Sequence, residues 1–151
     1  MNKLWNATRF SLNVLKDLEP SSQLDQLPNR AEMSDADQWI LVKLGELERE
    51  IDEALNTYRF SDAANAAYSF VWHTFCDWYL EFVKPVFLAE GGGSIGERKA
   101  TQLVLAHVLN RIVRLLHPFV PFITEEIYQK LPLRGEALII DAYPTVKLDK
   151  N

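Results

Sequence analysis

Cysteine, histidine and long apolar runs are scarce in this chain of 151 residues. The single cysteine, Cys76, excludes an internal disulfide and a cysteine-rich zinc site. No apolar run reaches the ~18 residues that a membrane span needs. The first residues also lack the basic and then apolar pattern of a signal peptide. We therefore expect a protein of the reducing cytoplasm, without membrane contact.

A basic excess is lacking as well, since the net charge is -5, which argues against a simple nucleic-acid binder. The charge is unevenly distributed, however. Residues 1–18 carry three basic side chains and one acidic one, and residues 97–117 carry four basic and one acidic. Residues 34–58 carry seven acidic and two basic side chains. Such segregation can leave a basic face on an acidic molecule.

Apolar residues recur at helical spacing over nearly the whole chain, with 48% apolar and 25% charged residues, as in ordinary globular domains. The pattern predicts five helices, over residues 2–18, 34–58, 61–84, 95–116 and 122–131. We therefore predict an all-α, up-down antiparallel bundle of four to five helices over residues 1–132. Residues 133–151 are predicted to form an extended tail or the start of a next segment, with a lone strand at 138–140.

Two helix starts carry a capping signal. Ser34 followed by Asp37 has the spacing of a capping box, and Ser61 is predicted to cap the third helix. The fourth helix is apolar over a wide arc and is expected to be the most buried. The third is rich in aromatic residues. Rings at helical spacing usually belong to a core, so we predict that Phe70, Phe75, Trp78 and Phe82 are core residues.

Two motifs that suggest catalysis or ligand binding have better structural explanations. Residues 91–96 match G-x-G-x-x-G literally, but a helix and not a strand precedes them, and Glu97 stands where a phosphate loop needs lysine. A flexible connection is the better interpretation. His73, Cys76 and Asp77 share one helical turn, yet the remaining ligands of a metal site are missing. We therefore expect no metal site and no catalytic residue.

The first helix has an unusual polar face. Asn2, Asn6, Arg9, Asn13 and Lys16 follow one another at steps of 4, 3, 4 and 3 residues, so they form one stripe. Asparagine disfavours helix, while Asn and Arg are the side chains that hydrogen-bond base edges in pairs. Phe10 lies beside this stripe and could stack on an unpaired base. An ordinary solvated face is the alternative from the pattern alone.

Four motifs occur in order along the chain. They are Asn-Lys-Leu-Trp-Asn-Ala-Thr-Arg-Phe at 2–10, Ser-Asp-Ala-Asp-Gln-Trp-Ile-Leu at 34–41, Phe-Cys-Asp-Trp-Tyr-Leu-Glu at 75–81 with Lys84-Pro85, and Leu-His-Pro-Phe-Val-Pro-Phe-Ile-Thr-Glu-Glu-Ile-Tyr at 116–128. Together they resemble the anticodon-binding helical domain of valyl-tRNA synthetases, which are class I aminoacyl-tRNA synthetases. The leucyl and isoleucyl enzymes share this domain. Gln38 and Tyr128 depart from the family pattern, which usually has Arg and Trp there.

The resemblance implies a tRNA anticodon stem-loop-binding module. Lys3, Arg9, Lys16, Arg111 and Arg114 would meet phosphates or bases. Asn2, Asn6 and Asn13 would read base edges, and Phe10 would stack. The alternative is a helical interaction or scaffold module that docks on other domains of the synthetase and contacts little RNA.

The resemblance also implies a division of labour. The family's two nucleotide-binding signature motifs are absent, so we expect an excised, non-catalytic fragment of a ligase that joins valine to tRNA. ATP with Mg would serve the parent enzyme, and this part would need no cofactor. Its partners would be the tRNA and the remaining domains of the synthetase, and the fragment is expected to be monomeric.

Overall fold

The computed structural model describes residues 2–18, 26–88, 90–132, 136–140 and 142–144. In these ranges the regular structure is helical throughout, which confirms the all-α prediction. None of the helices there combines the length and apolarity that a bilayer span requires. The five helices are α1 (Asn2–Leu15), α2 (Asp35–Asn56), α3 (residues 60–83), α4 (Ile95–Leu116) and α5 (Pro121–Tyr128). Short 3-10 turns lie at Arg30–Glu32, Lys84–Phe87 and Leu138–Ile140.

The helices alternate in direction along the chain, but neighbouring helices in space include parallel pairs. Lys3 contacts Asp77, and Phe10 contacts Lys84, so α1 runs parallel to α3. A tight turn at residues 57–59 makes α2 and α3 antiparallel, so that Trp39 lies against Phe82. Helix α1 packs on α3 and α4, and so does α2. Helices α1 and α2 therefore both lie against the same pair of helices.

The core is centred on α4, as its wide apolar arc predicts. Its buried side chains include Val104, Leu105, Val108, Leu109, Ile112, Val113, Leu115 and Leu116. Burying one such side chain contributes about 1.5–3 kcal/mol. This helix contacts α1, α2, α3 and α5, so the other four helices are arranged around it.

The start of α2 is the capping box that the sequence predicts. The Asp37 backbone N–H donates to Ser34 Oγ at 3.1 Å, and the Ser34 N–H donates to Asp37 Oδ2 at 3.2 Å. Asp37 is nevertheless fully buried, because it also joins three helices. The Tyr79 hydroxyl of α3 donates to Asp37 Oδ1 at 2.8 Å, and the Thr101 hydroxyl of α4 donates to Oδ2 at 2.9 Å.

The start of α3 differs from the prediction. Helix α3 begins at Phe60 after Arg59, with no side-chain cap, so the predicted cap at Ser61 is wrong. The reason is the way α2 ends. The Tyr58 N–H donates to Leu55 O at 3.2 Å and the Arg59 N–H donates to Ala54 O at 2.7 Å, with Tyr58 in the left-handed region at φ 58°. This is a Schellman motif, and it reverses the chain directly into the next helix.

The middle of α3 is wider than an α-helix. Phe60–Ser69 and Leu80–Val83 are α-helical, whereas Phe70–Tyr79 is π-helical, and the Leu80 N–H donates to Phe75 O, five residues back. A π turn holds more residues than an α turn, so later side chains rotate away from the face that a 3.6-residue period predicts. Phe70 and Phe75 are buried as predicted, but Trp78 and Phe82 are 56% and 50% exposed. The prediction that these two rings belong to the core is wrong.

Residues 138–140 form a 3-10 turn against α5. Leu138–Ile140 is not the predicted strand, because the described residues offer no strand to pair with it. The Leu138 N–H instead donates to Glu125 Oε2 of α5 at 2.9 Å, and the Leu138 side chain is buried. The predicted tail also includes residues 133–135, 141 and 145–151, which lie outside the described ranges. The domain boundary at residue 132 stays a prediction.

Candidate nucleic-acid interface

The polar stripe of α1 faces away from the bundle. All five of its residues are exposed, namely Asn2, Asn6, Arg9 and Asn13 on α1 and Lys16 in the turn directly after the helix. The opposite side of the helix buries Leu4, Ala7, Thr8, Ser11, Val14 and Leu15. Two of the buried polar groups, Thr8 and Ser11, donate to the carbonyls four residues earlier. The side chains of the stripe therefore do not pack in the core, and their amide and charged groups are exposed to solvent.

Lys3 is placed beside the stripe but already has a partner. Its ammonium donates to Asp77 Oδ1 of α3 at 2.6 Å, and His73 Nδ1 lies 3.4 Å from the other carboxylate oxygen. The hydrogen bond from Lys3 is the main cause that lowers the pKa of Asp77. Asp77 therefore stays ionised and offsets the charge of Lys3. The sequence alone gave no sign of this pairing across 74 positions.

Phe10 lies in the angle between α1 and α3. The ring is partly buried against the core, and the Lys84 ammonium lies 5.8 Å from its centroid. Part of the ring surface remains open beside the stripe, so Phe10 is positioned as a partial stacking surface. The helical spacing in the sequence did not indicate the Lys84 cation, whose ammonium also donates to Glu81 Oε1. Its only sequence signal is its place in the motif at 75–85.

Arg111 does not join this surface. Gln102 of α4 donates to the Val14 carbonyl of α1 at 2.8 Å. Nine residues further along an α-helix the direction has turned by about 180°, so Arg111 faces away from α1. Its guanidinium lies 3.2 Å from Glu48 of α2. Burial raises the pKa of Glu48, while the charge of Arg111 lowers it.

Arg114 connects α4 to the segment that follows α5. It donates to Asn110 Oδ1 at 2.7 Å and to the Ala142 carbonyl at 2.9 Å. Its guanidinium also lies 5.6 Å from the ring centroid of Tyr128. These contacts give Arg114 a structural role, because they join α4 to Ala142 and to α5. The structure therefore brings the α1 candidates together and leaves Arg111 and Arg114 apart from them.

The two departures from the family pattern have structural roles. The Gln38 amide nitrogen donates to the carbonyls of Arg30 and Met33 at 3.3 Å, and its oxygen accepts from Arg30 at 2.9 Å. Gln38 thus holds the 3-10 turn before α2. Tyr128 is fully buried at the end of α5. Neither residue lies on the α1 stripe.

The glycine-rich segment leads into the start of α4. Ser94 Oγ accepts from the Glu97 N–H at 3.2 Å, and the Glu97 carboxylate accepts from the Ser94 N–H at 2.8 Å. A carboxylate therefore lies at the helix N-terminus, where a phosphate would bind in a nucleotide site. Of the three candidate metal ligands on α3, Cys76 is half-buried, and burial raises the pKa of its thiol to about 11.

Comparison with known proteins gives one consistent result. Residues 37–151 match the family model described as the anticodon-binding domain of tRNA ligase. The chain is 54% identical to a valine–tRNA ligase of Bdellovibrio bacteriovorus over 152 residues, covering 100% of the chain and 17% of that relative. It is 40% identical to a valine–tRNA ligase of Bacillus cereus, covering 99% of the chain and 16% of the relative. One from Thermotoga maritima is 43% identical, with 97% and 15% covered. The chain thus spans about a sixth of these relatives.

Proposed function

Because the chain belongs to the anticodon-binding domain family of tRNA ligases, we propose that it binds the anticodon stem-loop of a tRNA. The names of its relatives favour the valine enzyme over the leucyl and isoleucyl ones. The observation that carries the proposal is the exposed α1 stripe of Asn2, Asn6, Arg9, Asn13 and Lys16. These side chains have the chemistry that unpaired bases and phosphates require.

Each group on the stripe has a defined task in this proposal. The amides of Asn2, Asn6 and Asn13 present a donor and an acceptor side by side, which fits the edge of a base. Arg9 and Lys16 neutralise phosphate charge, and Lys3 does so once the RNA competes with Asp77. The open part of the Phe10 ring stacks on one base. Lys84 lies next to that ring and, like Lys3, meets phosphate once the RNA competes with its partner, here Glu81.

The chemical step belongs to other parts of such a ligase in this proposal. In the relatives, about five sixths of the sequence lies outside the part that this chain matches. We assign the activation of valine with ATP and Mg, and the transfer of valine to tRNA, to those other regions. The chain itself would carry no catalytic group or cofactor, and it would act as a monomer in the cytoplasm. The remaining domains of the ligase would be its protein partners.

The test is a titration of the chain with two RNA hairpins at low salt. One hairpin carries a valine anticodon loop and the other a changed anticodon. Arg9→Ala should weaken binding about tenfold, because one base or phosphate contact contributes about 1–3 kcal/mol. Binding should also fall steeply with salt.

Arg49→Ala is the matched control. Arg49 is an exposed arginine on α2, not on α1. It removes the same charge from another face. Equal loss of affinity in both variants would show that net charge alone drives binding. Unchanged affinity in Arg9→Ala, with unchanged circular dichroism, would remove α1 from the interface.

A further inference from the structure

A groove between the first turn of α2 and the last turns of α3 is lined by three aromatic rings and one carboxylate. Its lining residues are Asp35, Ala36, Trp39, Trp78 and Phe82, and its volume is about 540 Å³. The Phe82 ring centroid lies 6.0 Å from that of Trp39 and 5.9 Å from that of Trp78. Because the π-helical turn rotates Trp78 and Phe82 outward, about half of the surface of each residue is exposed to solvent. The proposed RNA site uses none of these residues.

The charge at this groove is negative. Asp35 is exposed at its rim and takes part in none of the ion pairs within the described ranges. Glu81, between the two α3 rings in sequence, is instead paired with the Lys84 ammonium. A ligand that covers the rings therefore meets one free carboxylate. This carboxylate offsets the partial positive charge of the α2 N-terminus, so it favours a cation over a phosphate at the rings.

We propose that this groove binds the guanidinium group of an arginine carried by a protein partner. The faces of Trp and Phe rings attract cations, and Trp does so best. A guanidinium is planar, so it can stack on a ring while its N–H groups donate to a carboxylate such as Asp35. The chain already uses this chemistry internally, with Lys84 over Phe10 and Arg114 over Tyr128. Exposed apolar rings of this kind mark interaction sites more often than plain surface.

The four tryptophans of the chain make the test specific. Their indole N–H signals are followed by NMR in the 15N-labelled chain, with assignment by single Trp→Phe variants. The probe is acetyl-Gly-Arg-Gly-amide, and the matched control is the same peptide with citrulline, which is neutral but of the same shape. The arginine peptide should shift the Trp39 and Trp78 signals saturably and leave Trp5 and Trp72 unchanged. The Kd of the citrulline peptide should be at least about two- to fivefold higher than that of the arginine peptide.

Three variants test the groove itself. Asp35→Asn should weaken binding of the arginine peptide about two- to fivefold, whereas Asp52→Asn, an exposed aspartate further along α2, should not. Trp78→Ala should abolish the shift of the Trp39 signal. Phe82→Leu keeps apolar volume but removes one ring, so it should also weaken binding if the rings act on the cation.

Several outcomes would overturn the proposal. Equal affinity for the arginine and citrulline peptides would show an apolar groove without cation selectivity. The absence of a saturable shift, or equal shifts of all four tryptophans, would show that the groove is not a site. A saturable shift of Trp39 and Trp78 by the RNA hairpin would assign the groove to RNA. The hairpin affinity tests the RNA proposal separately, because Arg9 lies outside the groove.

Discussion

Replacement of Tyr79 by phenylalanine should destabilise the bundle, because the Tyr79 hydroxyl is the donor to one oxygen of a buried carboxylate. That oxygen, Asp37 Oδ1, accepts from Tyr79 at 2.8 Å, and both side chains are fully buried. The other oxygen keeps its bonds from Thr101 and the Ser34 N–H. Phenylalanine preserves the ring, which stacks on Phe75 at 6.0 Å. The variant therefore isolates one hydrogen bond.

The size of the effect follows from the charge and the burial. A hydrogen bond to a charged group contributes about 1.5–3 kcal/mol, and a buried acceptor that loses its partner keeps its desolvation cost. We therefore expect the free energy of unfolding to fall by about 2–3 kcal/mol at pH 7. For a chain of this length that corresponds to a decrease in Tm of about 4–12 °C.

The same variant should flatten the alkaline loss of stability. Burial, followed by the charge of Asp37 and its hydrogen bond, raises the pKa of Tyr79 well above its ordinary value. In the unfolded chain Tyr79 ionises near pH 10. Its contribution to stability is therefore complete below about pH 10 and is lost as the pH rises toward the folded pKa, by up to about 1.4 kcal/mol per pH unit. Tyr79→Phe removes this loss.

The assay is urea unfolding followed by circular dichroism at pH 7, 9, 10 and 11. Tyr68→Phe is the matched control, because Tyr68 is a half-buried tyrosine of α3 that contacts Trp72 through its ring. Burial also raises the pKa of Tyr143 to about 12 and that of Cys76 to about 11, but both groups remain in the variant. A stability loss below about 0.5 kcal/mol, or an unchanged alkaline slope, would refute the role given to Tyr79.

Two further predictions concern glycine and cysteine. Gly92→Ala should destabilise the chain by about 1–3 kcal/mol, because the added Cβ would meet the Leu88 carbonyl and the Arg98 guanidinium. Gly45→Ala should instead stabilise it by about 0.5–1 kcal/mol, since the Cβ meets nothing within 4 Å on α2. Thermal unfolding measures both, and effects of the same sign would contradict this pair. Burial raises the pKa of the Cys76 thiol from 9.0 to about 11. The thiol should therefore react with iodoacetamide at pH 8 about a hundredfold more slowly than a free thiol. Mass spectrometry measures the rate of this reaction, and a rate equal to that of a free thiol would contradict the prediction.

Local signals in the sequence predicted much of the fold correctly. The capping box at Ser34 and Asp37 located the start of α2, and the span Ile95–Leu116 was predicted for α4 as the structure has it. Such signals work because caps and amphipathic periods act between residues that are close in sequence. The same holds for the α1 stripe. Helical spacing was sufficient to predict that Asn2, Asn6, Arg9 and Asn13 share one exposed face of α1, whereas Lys16 is exposed in the turn after the helix ends at Leu15.

Contacts between distant residues decided the rest. The sequence predicts Asp37 only as the acidic residue of a capping box. The packing of α3 and α4 buries it and makes it the acceptor for the hydroxyls of Tyr79 and Thr101. The sequence predicts Trp78 and Phe82 as core residues, but the π turn rotates them to the surface and creates the groove. A 3.6-residue period cannot indicate where a helix widens.

The sequence by itself determined the helices, their apolar faces and the membership in a tRNA-ligase domain family. Only the tertiary structure decided which charges are free. Lys3 is held by Asp77 and Arg111 by Glu48, while Arg9 and Lys16 remain exposed. The physical reason is that a side chain's charge is fixed by its residue type, but its availability depends on the partner within ~4 Å that folding brings to it.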